Sequence, residues 1–285
     1  MKIITTVDEL RRVSEEAKKK GSVGLVPTMG ALHEGHGSLI KKCRKENDTA
    51  IVSVFVNPIQ FAPGEDYEDY PRDIEKDGAF CEGLGVDFVF HPEPEEMYPE
   101  NFGFRVTPPD SMTHILCGIT RPIHFAGVAT VITKLFQLVR PDRAYFGQKD
   151  VQQVAIIEAM VRDLNMDVAI VRCPIVREED GLAKSSRNRY LHGDERQAAV
   201  VLSRAIEKTK ALVRGGERKV SALLEAAKGE IEGEPLAKID YVEILRFPHF
   251  EREEELTEDS FIAMAVYIGS TRLIDNSFFQ EDFAK

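Results

Sequence analysis

The sequence is poor in the features that mark secreted, membrane and nucleic-acid-binding proteins. Its 285 residues include no tryptophan and four widely separated cysteines without a Cys-x-x-Cys pair, so we expect no disulfides and a reducing compartment. No apolar run approaches the length of a membrane span, and the chain does not open with a basic segment followed by a long apolar one. With 37 Lys and Arg against 48 Asp and Glu, the net charge of -11 argues against a general nucleic-acid binder. We therefore expect a cytoplasmic enzyme of small molecules, with no nucleic-acid or membrane partner.

The chain is long enough for two domains, and its hydrophobic pattern changes part-way along. In the first part, short apolar runs alternate with helical patterns, which predicts a parallel sheet covered by helices on both faces. From about residue 194, two helical patterns precede three strand patterns. We predict an α/β protein with a Rossmann-like parallel sheet domain over 1–178 and a smaller C-terminal α+β lid domain, helices plus a short antiparallel sheet, over 179–285.

The predicted elements have the following bounds, and Thr6 followed by Glu9 resembles a capping box at the start of the first helix. In the first domain the strands are residues 22–26, 50–56, 87–90, 143–146 and 167–173, and the helices lie near 7–20, 36–47, 72–84, 124–139 and 150–164. In the second domain the strands are residues 239–245, 261–268 and 272–276, the last two joined by a tight turn at Gly269 and Ser270.

The most informative segment is PTMGALHEGH, residues 27–36, which follows the first of these strands. Helical spacing of apolar residues begins just after it, so a strand leads through a glycine-containing loop into a helix. The first amides of a helix have no internal partners and carry partial positive charge, which makes such a loop suited to an anion. His33 and His36 project from about one turn and can face the same phosphate. Two alternative roles for these histidines stay open. They can be ordinary polar residues of a loop, or they can bind zinc, although no third nitrogen or sulfur ligand lies at a familiar spacing.

Three further clusters of polar residues carry candidate chemistry. Asn57 and Gln60 follow the second strand, where their amides can bind a small polar substrate, although Asn-Pro often only forms a turn. Lys149 follows a glycine at a strand end and can reach phosphate oxygens, while Asp150 either caps the next helix or helps to hold a hydrated Mg²⁺. Residues 180–188 contain hydroxyls and two cations that can bind a leaving pyrophosphate, although such loops are usually solvated surface.

The order of the motifs resembles that of a known family. The early His-x-Gly-His and the late Lys-Ser-Ser loop resemble the nucleotidylyltransferase superfamily shared with class I aminoacyl-tRNA synthetases. More narrowly, the chain resembles the pantoate-beta-alanine ligases over essentially its full length. The segments that carry this resemblance are, in order, PTMGALHEGH, FVNPIQF, DYEDYPR, RPIHFAGVATVITKLF, FGQKDVQQ and DGLAKSSRNRYL. The resemblance implies the substrates ATP, pantoate and β-alanine, Mg²⁺ as a cofactor, a pantoyl-adenylate intermediate, release of AMP and pyrophosphate, and a homodimer.

The resemblance also implies residue roles at matching positions. His36, His33 and Lys149 would be catalytic, with His36 as the assigned proton donor, although charge stabilisation on the α-phosphate suits it better physically. Gln60, Gln153 and Asn57 would bind substrate, and Asp77 is the candidate Mg²⁺ contact. Contacts to ATP are implied for Met29, Gly30, Ala31, Leu32, His33, Glu34, Gly35, His36, Gly147, Gln148, Lys149, Asp150, Val176, Lys184, Ser185, Ser186 and Arg187.

Two residues depart from the pattern of the family. Gly37 stands where a larger apolar residue is common, which should loosen the helix start by up to about 1 kcal/mol. Lys184 stands where an apolar residue is usual and adds a cation beside the phosphates. Neither change removes a catalytic group, so we expect altered tuning rather than lost activity.

Other functions are compatible with parts of this pattern. A nucleotidyltransferase that passes AMP or CMP to a phosphorylated acceptor would use the same loops, but it would not release AMP in response to an amine. A non-catalytic nucleotide sensor would use the helix start but would not need the amide cluster. A tRNA-charging enzyme is disfavoured by the acidic charge and by the lack of room for an anticodon-binding appendage.

Overall fold

The computed structural model describes residues 1–283, which form two compact units. Each unit is built from several segments of the chain. Unit 1 comprises Met1–Asp110, Arg121–Gln148 and Ile156–Pro174, and unit 2 comprises Ser111–Thr120, Lys149–Ala155 and the described chain from Ile175 onward.

This division differs from the predicted boundary at 178/179. The chain enters unit 2 for the last time at Ile175, and two earlier segments also belong to that unit. The reason is a set of long-range hydrogen bonds that the sequence pattern does not reveal. The Gln152 amide donates to the Met112 and Ile115 carbonyls at 2.9 and 2.8 Å, which ties the two inserted segments together. The Asn276 amide then donates to the Lys149 carbonyl at 2.9 Å.

Unit 1 contains the predicted parallel sheet, in which a sixth strand that was not predicted, β1, joins the five predicted ones in the order β1-β4-β3-β2-β5-β6. Its central strands are almost wholly apolar and buried, as a sheet covered on both faces requires. The strands are β1 (Lys2–Ile4), β2 (Val23–Thr28), β3 (Thr49–Val54), β4 (Phe88–Phe90), β5 (Arg143–Gly147) and β6 (Ala169–Cys173).

The strand order explains where a ligand would bind. From β2 the chain proceeds outward to β3 and β4, and it then returns to place β5 on the opposite side of β2. Parallel sheets bind ligands beyond the carboxyl ends of the strands at such a switch in order. The histidine motif begins at the end of β2 and continues into the loop that follows, while Gly147 ends β5 and Gln148 follows it, so the topology places both at this edge of unit 1.

The predicted strand ends shift by a few residues. β2 continues to Thr28, past its predicted end at residue 26, and therefore includes Pro27. The strand tolerates this proline because its pairing with β5 is confined to Gly24 and Leu25, while pairing with β3 continues to Thr28.

Helices connect these strands along the chain. The predicted cap of the first helix is confirmed, because the Thr6 hydroxyl accepts the Glu9 N–H at 3.3 Å. The helices up to the end of the sheet are α1 (Val7–Lys20), α2 (Glu34–Glu46), α3 (Ile74–Gly83), α4 (Pro94–Met97), α5 (Asp110–Thr113), α6 (Cys117–Thr120), α7 (His124–Val139) and α8 (Val151–Asp163). No helix within residues 1–283 combines the length and the apolar character that crossing a membrane demands.

Unit 2 contains the predicted antiparallel sheet, in which a short fourth strand that was not predicted, β8, joins the three predicted ones in the order β10-β9-β7-β8. A core of aliphatic side chains from its strands and from two long helices holds this unit together. The strands are β7 (Ala237–Arg246), β8 (Glu251–Arg252), β9 (Ser260–Ile268) and β10 (Thr271–Phe278), and the helices are α9 (Asp194–Ala198), α10 (Val201–Arg214) and α11 (Val220–Glu232). The predicted tight turn at Gly269 and Ser270 joins β9 to β10.

Candidate active site

The two histidines of the first motif cap the start of α2 reciprocally. His33 is the N-cap, and its Nδ1 accepts the Gly35 N–H at 3.1 Å, while Nδ1 of His36 accepts the His33 N–H at 3.3 Å. The rings lie 4.1 Å apart between centroids, and both side chains are half-buried. Because main-chain N–H groups donate to both Nδ1 atoms, each neutral ring carries its proton on Nε2. The cap therefore fixes two imidazole N–H donors at a helix N-terminus, which suits an anion.

A buried carboxylate shapes the loop that precedes this cap. Asp77 of α3 accepts the Ala31 N–H at 2.9 Å and the Leu32 N–H at 2.8 Å, and only 3% of it is exposed. Gly30 and Ala31 have φ angles of 85° and 50°, in the region that favours glycine. A Cβ at position 30 would lie 2.9 Å from Asp77 Oδ2, so this position requires glycine for two separate reasons. Asp77 thus holds a strained turn directly before the histidine pair.

Asp77 does not fit the Mg²⁺ contact that the resemblance implies. Both of its oxygens accept main-chain N–H groups, and its side chain is buried against the loop. Burial raises the pKa of this carboxyl, and the bonds from Leu32 and Ala31 partly oppose that rise. The geometry therefore gives Asp77 the task of shaping the loop.

The departure at Gly37 has a packing reason. A Cβ at this position would lie 3.0 Å from Cζ of Phe80, a residue of α3. Glycine lets that ring approach the first turn of α2, and it thereby brings α3, the helix that carries Asp77, close to the histidine cap.

The Asn57 and Gln60 pair is present after the end of β3, but the two amides have different surroundings. Asn57 is 1% exposed; its Nδ2 donates to Gln60 Oε1 at 2.9 Å, and its Oδ1 accepts from Tyr98 at 2.7 Å. The amide nitrogen of Gln60 has a weaker partner, since its Nε2 donates to the Met29 sulfur at 3.0 Å. Sulfur is a weak acceptor, so a substrate oxygen can readily replace it. This arrangement favours Gln60 as the substrate contact and Asn57 as the residue that orients it.

A polar chain supports Gln60 from the other side. Nδ1 of His124 lies 3.2 Å from the main-chain carbonyl oxygen of Gln60, and Nε2 of His124 lies 3.3 Å from a guanidinium nitrogen of Arg121. Arg121 in turn donates twice to the Glu65 carboxylate, at 2.9 and 2.8 Å. Glu65 was missed by the sequence analysis because a surface-like glutamate gives no signal of a partner 56 residues away.

In unit 2, the Lys149 segment is held by its main chain. The Lys149 carbonyl accepts from Asn276, and the lysine side chain is half-buried. Asp150 is exposed at the end of a short 3-10 turn, Gln148–Asp150, and α8 begins at the next residue. Gln153, the other predicted substrate contact, is half-buried on the first turn of α8. Its neighbour Gln152 is buried and binds residues 112–117, a role that the sequence analysis missed.

The serine-containing motif of unit 2 follows a small hairpin that spans residues 176–184. The Lys184 N–H donates to the Val176 carbonyl at 2.9 Å, and Arg177 pairs with Ala183 in an antiparallel bridge. Nζ of Lys184 lies 3.0 Å from the Glu178 carboxylate, so the unusual lysine has an acidic partner on the facing strand. We call residues 176–188 the cationic hairpin, because they include the predicted phosphate contacts at Val176, Lys184, Ser185, Ser186 and Arg187.

The end of the cationic hairpin is a capped turn. Ser185 accepts the Arg187 N–H through its hydroxyl at 3.3 Å, which begins a 3-10 helix over Ser186–Tyr190. The Asn188 amide donates back to the Ala183 carbonyl at 3.0 Å. These bonds fix Ser186 and Arg187 close to the end of the hairpin.

Comparison with known proteins identifies the family. The model of the pantoate-beta-alanine ligase family matches residues 2–278. A pantothenate synthetase of Ruminiclostridium cellulolyticum is 54% identical over 283 residues, which cover 99% of this chain and 100% of the relative. The chain belongs to the pantoate-beta-alanine ligase family. A second family member, from Caldicellulosiruptor saccharolyticus, is 53% identical over 97% of this chain and 98% of its own.

Solved structures of pantoate-beta-alanine ligases share the fold. The pantothenate synthetase of Thermus thermophilus is 44% identical, with a TM-score of 0.93 and coverage of 98% of this chain and 99% of that one. The ligase of Francisella tularensis, solved in complex with beta-gamma ATP and β-alanine, is 34% identical, with a TM-score of 0.82 and 98% coverage of both chains. The predicted fold class, parallel sheet domain plus smaller antiparallel one, is confirmed.

Proposed function

We propose that this enzyme uses ATP to join pantoate to β-alanine through a pantoyl-adenylate intermediate, with release of AMP and pyrophosphate. The names of the relatives support the overall reaction, and the Francisella tularensis complex supports ATP and β-alanine as ligands. The observation that carries the adenylation step is the reciprocal histidine cap. It sets two imidazole donors and the helix amides at the edge of the sheet where β2 ends.

In the first step, a pantoate carboxylate oxygen attacks the α-phosphorus, and the bond to pyrophosphate breaks. Negative charge then grows on the α-phosphate oxygens and on the leaving group. In unit 1, the Nε2–H groups of His33 and His36 and the first amides of α2 are preorganised donors for that charge. In unit 2, the proposed phosphate contacts are Lys149, Lys184, Ser185, Ser186 and Arg187.

In the second step, the amino nitrogen of β-alanine attacks the acyl carbon, the bond to AMP breaks, and the amine loses a proton. Gln60 and Gln153 are the proposed contacts of pantoate, with Gln60 also close to β-alanine. The weak sulfur acceptor that Gln60 uses in the structure makes its amide available to either substrate.

We propose that Mg²⁺ enters with ATP. Magnesium commonly keeps several waters and binds phosphates with only one or two carboxylates, so it does not need a protein cage. A homodimer and a cytoplasmic location remain predictions from the resemblance and the composition.

The test is the release of AMP when each substrate is omitted in turn. We expect full release only with ATP, pantoate and β-alanine together, and exchange of labelled pyrophosphate into ATP with pantoate alone. Full-rate AMP release without β-alanine would contradict a ligase. Exchange that requires β-alanine would contradict a free adenylate intermediate, and turnover with a phosphorylated acceptor would favour the nucleotidyltransferase alternative.

A further inference from the structure

Two adjacent residues of β10 contact both cation-bearing segments of unit 2. Asp275 is 2% exposed and accepts two hydrogen bonds from the Arg177 guanidinium, at 2.7 and 2.9 Å. Asn276 is 1% exposed and donates to the Lys149 carbonyl at 2.9 Å. Asp275 Oδ1 also accepts the Asn276 N–H at 2.8 Å, so the two contacts are linked. Two adjacent residues of a single strand therefore fix two segments that lie far apart in the sequence.

The contact of Asp275 holds the cationic hairpin. Nη1 of Arg177 also donates to the Gly181 carbonyl at 3.0 Å, so the guanidinium connects β10 to the tip of the hairpin. Asp180, beside this tip, pairs with Arg196 at 2.7 Å. A paired, doubly hydrogen-bonded guanidinium has a defined orientation, which makes this contact geometrically specific.

The contact of Asn276 holds the Lys149 segment, and a second residue of the same strand supports it. Side chains four residues apart on a strand lie on one face of the sheet, and consecutive ones lie on opposite faces. Arg272 shares the face of Asn276, and its guanidinium lies 3.6 Å from the Cys117 sulfur and 3.4 Å from the Thr120 hydroxyl. Since Gln152 ties residues 112–117 to α8, both inserted segments rest on this face of β10.

We infer that Asn276 and Asp275 are positioning residues that set where the Lys149 and Arg187 cations lie within unit 2. The inference rests on the proposed function, since it assigns those cations to the phosphates of ATP. Because β10 fixes both segments, the distance between the two cations depends on this strand rather than on either loop. A small displacement of a catalytic group lowers the rate strongly, so such a strand contributes to catalysis without touching substrate.

The central experiment is a double-mutant cycle between Asn276→Ala and Lys149→Ala, read by single-turnover pantoyl-adenylate formation. If Asn276 acts through Lys149, its loss slows adenylation roughly 10- to 100-fold in the otherwise unsubstituted enzyme. The same loss then has less than about a twofold effect when the lysine side chain is absent. An equal loss in both backgrounds, or an unchanged rate for Asn276→Ala, would overturn the inference.

Two further variants separate positioning from folding. Asn276→Asp keeps the size of the side chain but replaces its donor with oxygen, so it should be as slow as Asn276→Ala; a normal rate would count against the hydrogen bond. Asn47→Ala is the matched control, since this asparagine is 6% exposed and donates to the Cys43 carbonyl at 2.8 Å. We expect it to lower the melting temperature while adenylation stays within about threefold. If Asn47→Ala slows adenylation as much as Asn276→Ala does, the slow rate of Asn276→Ala reflects general destabilisation, and the inference fails.

Hydrogen exchange gives a readout that does not depend on the reaction. In Asn276→Ala without ligands, the amides of residues 149–152 should exchange about fivefold faster, as for loss of one hydrogen bond. Unchanged exchange there would overturn the inference even in an active enzyme. Failure of the unsubstituted enzyme to release AMP with all three substrates would refute the proposed function instead.

Discussion

The two phosphate-binding segments proposed for this ligase, the histidine loop of unit 1 and the cationic hairpin of unit 2, are built differently. The histidine loop is stabilised mainly within itself, because His33 and His36 cap one another across three residues. The cationic hairpin depends on a strand almost one hundred residues later, through the pair of Arg177 and Asp275. A motif whose hydrogen bonds lie within itself can be recognised from its own sequence, whereas a motif held by remote partners cannot.

The largest effect is expected at the centre of the histidine loop. His36→Ala should slow adenylation by roughly 10² to 10³, the usual loss for one preorganised donor. His36→Asn can keep an acceptor near the Nδ1 position but loses the Nε2–H, so it should preserve the cap and remain slow. His36→Gln can place a donor near Nε2 and should recover part of the rate. The measurement is single-turnover adenylation with thermal unfolding alongside.

This experiment also tests whether the loop is self-contained. If His36→Asn forms the adenylate at the normal rate, the rate depends on the cap alone and not on the imidazole N–H donor. If ATP affinity changes while the adenylation rate stays normal in His36→Ala, the residue takes no part in the chemistry.

The next largest effect is expected where the histidine loop does depend on a remote residue. Asp77→Asn replaces one acceptor of the Ala31 and Leu32 N–H groups with a donor. We expect a loss of kcat/KM for ATP of about 10- to 100-fold through the displaced loop, and about 1–3 kcal/mol of lost stability. Steady-state kinetics and urea unfolding measure the two, with Asp73→Asn at the N-cap of the same helix as the matched control. A stable variant with normal kinetics would show that the loop holds itself.

A smaller effect is expected from the cationic hairpin when its charge pair is replaced as a unit. Arg177→Met with Asp275→Leu should fold with stability close to that of the unsubstituted enzyme, because Asp275 is buried and Arg177 is half-buried, and apolar replacement of such a pair is often neutral. The hairpin tip loses its bond to the guanidinium, so the KM for ATP should rise about tenfold. Arg177→Met alone leaves a buried carboxylate unpaired and should cost about 3–5 kcal/mol. An unchanged KM in the double variant would contradict anchoring by β10.

The smallest effect concerns pH and stability. Burial raises the folded-state pKa of Asp77 above its value in the unfolded chain, so the native state binds its proton more readily. The stability contributed by this group is therefore greatest at low pH and is lost as pH rises through the folded-state pKa. The gap in free energy of unfolding between the unsubstituted enzyme and Asp77→Asn should widen on acidification from about pH 7 toward about pH 4. Urea unfolding at several pH values measures it, and a shrinking gap would mean that the amide bonds dominate over burial.

The sequence predicted the fold well where patterns are local. The alternation of apolar runs with helices predicted the parallel sheet, and the Thr6 cap and the turn at Gly269 were correct in detail. The domain boundary was less accurate, because Gln152 and Asn276 bring two inserted segments into unit 2 through bonds that span 35 to 127 residues. The interpretation of Asp77 as a metal contact also changed, since a carboxylate beside motif residues looks the same whether it binds a cation or main-chain amides.

The sequence by itself determined the family, the alternation of strands and helices, and the place of the histidine pair at a helix start, since each depends on neighbouring residues or on ordered motifs. The tertiary structure decided which polar side chains face one another: Asp77 with the loop amides, Asn57 with Gln60, and β10 with both cationic segments. The physical reason is that a buried polar group must find a partner, but the chain can supply that partner from any distance along its length.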